Sequence, residues 1–161
     1  MAEDQLRKEL VGSFRNRALL YHHLFNELTA DMGEAKAAET MKRAIYKRGR
    51  EIGQLFAQYG PNDMEGLKDA FLAFIPDEGA LFSPELERCD ADGVDIKFHR
   101  CPLKEAWLEA GLPEAEVARL CAIAATVDNG TFEGAGFSFH ADTWQPGEEG
   151  CCHLHIRPGK P

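Results

Sequence analysis

The hydrophobic period of this chain changes at Pro76, and no other feature of the sequence limits its fold so sharply. Before that residue, apolar side chains recur every three or four positions; after it come stretches of strict alternation. Leu6, Leu10, Phe14, Ala18, Tyr21, Phe25, Leu28 and Met32 form one stripe, and Gly33 follows as a stop. A second helix is expected over Glu34–Tyr59, ended by Gly60-Pro61, with Ala38, Met41, Ile45, Ile52, Leu55 and Phe56 inward. A third spans about Asp63 to Phe74. Beyond Pro76, Leu86–Cys89 and Val94–Phe98 flank the turn Asp90-Ala91-Asp92-Gly93, which reads as a β-hairpin. Cys101-Pro102 opens a short helix over Leu103–Ala110, and Pro113 begins another that reaches about Val127. Gly136–Trp144 and Cys151–Arg157 form a second hairpin around the turn-rich segment Gln145–Gly150. The pattern predicts an α+β fold: N-terminal helices packed on a C-terminal antiparallel sheet of about four strands, with two intervening helices. At 161 residues one core is expected, so 1–161 reads as a single domain with a helical half (1–75) and a mixed half (76–161).

Charge and cysteine usage narrow the function classes. A net charge of −9 argues against a nucleic-acid partner, which needs clustered Lys and Arg. The one basic stretch, Lys42–Arg50, is broken by Ala44, Ile45 and Tyr46 and reads as a solvated helix face. No apolar run approaches the roughly 20 residues of a membrane span, and the charged start MAEDQLRKEL is no signal peptide. The five cysteines are odd in number, include the adjacent pair Cys151 and Cys152, and form no CxxC motif. Free thiols in a reducing compartment are the expectation, hence a cytoplasmic protein without disulfides.

Alternation sorts the last hairpin by face. Phe137, Phe139, Ala141 and Thr143 should share the buried face with Cys152, Leu154 and Ile156. Cys151, His153 and His155 should point the other way, with His140. Two constellations follow. The inward one gathers Cys101, Cys121, Thr143 and Cys152, with Asp128 expected at the end of the Cys121 helix, where Asn129-Gly130 would turn the chain. Thiols beside a carboxylate can supply a nucleophile and its base, although free cysteines also pack as small hydrophobes. The outward one offers His140, His153 and His155 as ligands for a divalent metal such as zinc, against the plainer reading of an exposed polar face. The last strand has only Pro158–Pro161 after it, so an uncovered edge favours a two-fold homodimer.

Taken in order, Cys101-Pro102-Leu103-Lys104-Glu105-Ala106, then Cys121 with Asp128-Asn129-Gly130, then Thr143, a Gly turn and Cys152-His153-Leu154-His155-Ile156 carry a resemblance. They resemble the L-2-amino-thiazoline-4-carboxylic acid hydrolase family, and more distantly 4-vinyl-reductase-like sensor domains. The resemblance implies a hydrolase acting on a carbon–nitrogen bond of a small cyclic amidine, opening 2-amino-thiazoline-4-carboxylate to N-carbamoyl-cysteine. It places Cys121, Asp128 and Cys152 as catalytic residues, with Cys101, Thr143 and Phe139 against the substrate. The alternative it implies is a non-catalytic domain that binds or senses a small molecule.

Overall fold

A computed structural model describes all 161 residues, Met1–Pro161. The N-terminal stripe becomes α1 (Ala2–Met32), stopped at Gly33, whose φ of 85° lies in the left-handed region that a side chain disfavours. The middle of the stripe is buried at Ala18 and Phe25, whereas Leu6 and Met32 at its ends stay exposed. Next comes α2 (Glu34–Gly53), and its last predicted turn tightens into a 3-10 segment, Gln54–Tyr59, which leaves Leu55 exposed. Helix α3 (Met64–Phe74) is capped by Asp63, whose carboxylate accepts from the Gly66 amide. The first hairpin, β1 (Pro84–Asp90) and β2 (Gly93–Phe98), turns at Asp90, whose carboxylate accepts from the Asp92 and Gly93 amides.

Three helices, not two, separate the hairpins: α4 (Pro102–Glu109), α5 (Glu114–Ala124) and α6 (Thr126–Gly134). The single helix expected over Pro113–Val127 bends at Ala125, and Asn129-Gly130 continues the next helix instead of turning the chain. The reason is packing. A Cβ on Gly49 of α2 would strike the Val127 carbonyl of α6, and one on Gly130 would strike the Tyr46 carbonyl of α2. The two backbones touch along this line, so glycine here serves close approach. This crossing seats α6 against α2 and fixes where Asp128 and Thr131 face.

The sheet closes with β3 (Ser138–Asp142) and β4 (His153–Arg157) in the order β1-β2-β4-β3, antiparallel throughout. Both last strands are shorter than alternation suggested. β4 lies inside the sheet, paired on both sides, so the bare final edge invoked for a homodimer does not exist; β1 and β3 are the edges. The inner face carries Val94, Ile96, Leu154 and Ile156, all fully buried beneath the helices. Trp107 of α4 donates from Nε1 to the Ala18 carbonyl at 2.6 Å, which ties the mixed half to α1. No helix is long and apolar enough to cross a membrane.

Candidate active site

Between α1, α2, α5/α6 and the inner end of the sheet lies a cavity of about 790 Å³. Its walls are largely aromatic and aliphatic, including Phe14, Phe71, Phe82, Phe98 and Trp107. Into this apolar space open four of the five cysteines (Cys101, Cys121, Cys151 and Cys152) together with Asp128. A chain that spends its thiols and a carboxylate on one hydrophobic chamber has assembled the elements of a site.

The cysteines arrive by different routes. Cys101 is the N-cap of α4, in extended backbone (φ −148°, ψ 120°), with Pro102 at the first helical position. Cys121 stands on the buried side of α5. Cys151 and Cys152 meet β2 at a bulge: the Cys151 amide donates to the Phe98 carbonyl, and the Cys152 carbonyl accepts from the Phe98 amide, each at 2.9 Å. Two residues therefore oppose one, which suspends the alternation. Cys151, expected outward with the histidines, is buried beside its neighbour, with Sγ of the two 3.4 Å apart. The bulge is held by two ammonium groups: Lys97 donates to the Cys151 carbonyl at 3.0 Å, and Lys104 donates to the Gly150 carbonyl while lying over the Trp144 ring.

These surroundings divide the thiols by acidity. Cys101 is shifted below the usual cysteine range, first by the bond from Cys151; burial opposes this, and the Lys104 and Leu103 amides and the Lys104 charge assist. Its partner Cys151 moves upward, because bonding to the Cys101 and Cys152 sulfurs favours its protonated form. Burial pushes the Cys121 thiol up as well, reinforced by nearby Cys101 and Cys152. Cys101 is thus the thiol made ready to ionise, whereas Cys121 is held as a thiol.

Asp128 sits in the first turn of α6, not at the end of the Cys121 helix, so the helix dipole favours its charge. Burial dominates nevertheless and pushes its carboxyl up to about 7, with no cation or hydrogen bond to offset it. By area the residue is only half-buried, but the area it shows is cavity wall. Burial of the carboxyl is what governs its acidity. A carboxyl poised near neutrality and free of protein partners can both give and take a proton.

Other expected site residues lie elsewhere. Thr143 follows the end of β3 and lines a separate polar crevice of about 430 Å³ with Lys42, Tyr46, Asn129 and His140. Phe139 stacks on Phe132, ring centroids 5.0 Å apart, outside the cavity lining. His140, His153 and His155 do share the outer face of the sheet, stacked in a row with centroids 5.9 and 6.1 Å apart. Their nitrogens are turned to carboxylates: His155 to Asp95 (2.8 Å) and Asp142 (3.0 Å), His140 to Asp142 (3.0 Å), His153 to Glu87 (3.1 Å). No three His, Cys, Asp or Glu side chains converge as a metal set, so the proposed zinc ligands do not form one. Sequence reasoning missed Cys151 and Arg17 as cavity residues; Gly150, with φ of +74° immediately before the cysteine pair, was the one local sign that the strand would not run straight.

A family model described as L-2-amino-thiazoline-4-carboxylic acid hydrolase matches residues 13–156. No curated protein matches the chain. The match spans both the helical half and the cysteine-bearing half, and the chain belongs to that family.

Proposed function

We propose that this member of the family hydrolyses a carboxylate-bearing cyclic amidine of the 2-amino-thiazoline-4-carboxylate type, with Cys101 as nucleophile and Asp128 as proton carrier. One observation supports this most: an acidified thiol and an unpaired carboxyl near neutrality open into the same apolar cavity. The ring carbon between sulfur and nitrogen is an electrophile. The Cys101 thiolate attacks it, and Asp128 in its acid form protonates the ring nitrogen as the C=N bond becomes single. The exocyclic nitrogen then expels the ring sulfur, which leaves as a thiol carrying the amidinium proton. This leaves the opened substrate joined to Cys101 as an isothiourea. Water attacks the same carbon and Asp128 as carboxylate takes one of its protons; the other passes to the imino nitrogen as the C=O bond forms and the Cys101 thiolate departs.

The net change is one water added, and the product is N-carbamoyl-cysteine. Both carbon–nitrogen bonds at that carbon survive, so the bond finally broken is carbon–sulfur, which corrects the bond class expected from the resemblance. Loss of the ring nitrogen would instead give S-carbamoyl-cysteine, which has no free thiol. The test is incubation with 2-amino-thiazoline-4-carboxylate, following thiol release and the mass of the Cys101 peptide. Release of thiol, with a transient peptide heavier by one whole substrate and both signals lost in Cys101→Ser, is the expected result. Saturable binding without thiol release or adduct would defeat it in favour of a non-catalytic binding domain, which the aromatic lining would also suit.

A further inference from the structure

Four Arg, Asp or Glu side chains line the cavity: Arg17, Arg48, Glu51 and Asp128. Their charges do not balance. Arg48 Nη1 is paired with Glu51 Oε2 at 2.9 Å, so that pair is internally neutral. Asp128 receives no help from any guanidinium, so its carboxyl lies away from Arg17. Arg17 itself makes no ion pair or hydrogen bond; its guanidinium rests over the Phe14 ring, 5.3 Å from the centroid. Neighbouring Arg15, by contrast, is tied to Glu109 at 2.8 Å. Lys97 and Lys104, the ammonium groups nearest the bulge, are committed to the Cys151 and Gly150 carbonyls. A chain of net charge −9 repels anions from most of its surface, yet this chamber keeps one uncompensated cation at its mouth.

We infer that Arg17 is the specificity residue of the cavity, selecting a monoanionic carboxylate ligand by pairing with its acid group. A guanidinium offers a planar fork that matches a carboxylate with two parallel hydrogen bonds. A phosphate dianion would need a second free cation, and the chamber has none. The ligand that fits is a small, soft, largely apolar ring with one carboxylate at its outer end. Its reactive carbon would point inward to Cys101 and Asp128. That last orientation rests on the proposed hydrolysis; the charge selection does not.

The experiment separates the two. Iodoacetate and iodoacetamide are nearly the same size, alkylate the same thiolate, and differ by one negative charge. Both rates are read at the Cys101 peptide by mass spectrometry, in low and high salt, for the wild-type protein, Arg17→Gln and Arg17→Lys. The ratio of the iodoacetate rate to the iodoacetamide rate should fall by roughly 10-fold in Arg17→Gln at low salt. It should be kept largely by Arg17→Lys, and the difference should shrink in high salt. An unchanged iodoacetamide rate reports that the thiolate and the fold are intact. A ratio that does not move in Arg17→Gln overturns the inference, as does an equal fall in both rates, which would mean that Arg17 acts on the thiol or the fold. If the wild-type protein releases no thiol from 2-amino-thiazoline-4-carboxylate, the hydrolase reading falls, while the alkylation ratio still decides the role of Arg17.

Discussion

The two faces of the four-stranded sheet carry similar ionisable chemistry and treat it in opposite ways. On the outer face His140, His153, His155, Asp95, Asp142, Glu87 and Arg157 pair with one another, and Asp95 alone meets His155 and Arg157, each at 2.8 Å. Under the inner face, Asp128 has no partner and Cys101 bonds only to neighbours that make it more acidic. Paired charges at a wet surface satisfy themselves and contribute little to stability. An unpaired carboxyl in an apolar chamber costs stability wherever it ionises, and natural chains tolerate that cost chiefly at sites that use it.

The sharpest way to break this contrast is Asp128→Asn. If Asp128 carries protons for the reaction, the variant should lose about 10²–10⁴-fold in turnover of 2-amino-thiazoline-4-carboxylate. Its stability should move the other way. The folded carboxyl titrates at about 7, against an ordinary value of 3.8 for a free aspartate side chain. The folded state therefore holds the proton more tightly, and wild-type stability falls as pH rises from about 4 through about 7. The full loss is at most about 4 kcal/mol, and Asp128→Asn should abolish that slope. Urea denaturation at pH 5 and pH 8 checks it: parallel losses in wild type and variant would return Asp128 to an ordinary role in the helix.

A smaller effect should come from Lys104, which braces the cysteine bulge through the Gly150 carbonyl and adds positive charge beside Cys101. Lys104→Met keeps much of the apolar stem over Trp144 but removes the ammonium. Alkylation of Cys101 by iodoacetamide at pH 7 should slow by roughly 3- to 10-fold, which corresponds to an upward thiol shift of half to one pH unit. An unchanged rate would leave the Cys151 bond and the α4 amides as sufficient to activate Cys101.

The difference between the faces also explains what could be read in advance. Regular periodicity was legible: α1 with its Gly33 stop, the Asp90–Gly93 hairpin and the outward histidines all follow from it. Cys101, Cys121 and Cys152, grouped by the same reasoning as inward-facing, do open into one cavity. What failed were residues at which the period is interrupted by tertiary contacts. Cys151 turns inward because a bulge puts two residues opposite Phe98, and no alternation rule registers an inserted residue. Thr143 was counted along a strand that ends at Asp142. Gly130 looked like a turn residue because its reason for being glycine, the backbone of α2, lies some 80 positions away in sequence. Arg17 is invisible for the same cause: nothing in its neighbourhood on α1 shows that it borders a chamber built by later helices.

The smallest expected effect belongs to the outer face and concerns His155. Burial alone would lower its pKa, but bonds to Asp95 and Asp142 outweigh this and raise it above the usual histidine value. Asp142 is lowered in turn, first by His155 and then by His140. A histidine raised in the folded state adds stability that is fully present below its unfolded value, about 6.5, and is lost as pH rises through the folded one. The carboxylates contribute in the opposite sense, above their unfolded value near 4, so the network is strongest between about pH 4 and 6.5. His155→Gln should therefore cost stability at pH 5.5 and almost none at pH 8.5. Because Asp142 is open to water and the His155–Asp95 pair is only partly buried, the difference should be about 0.2–1 kcal/mol and should fade in high salt. Turnover should be untouched, since the ring lies across the sheet from the cavity. A His155→Gln variant that folds normally and loses activity would mean that the outer face takes part in the chemistry after all, and the division between paired and unpaired faces would no longer separate structure from function.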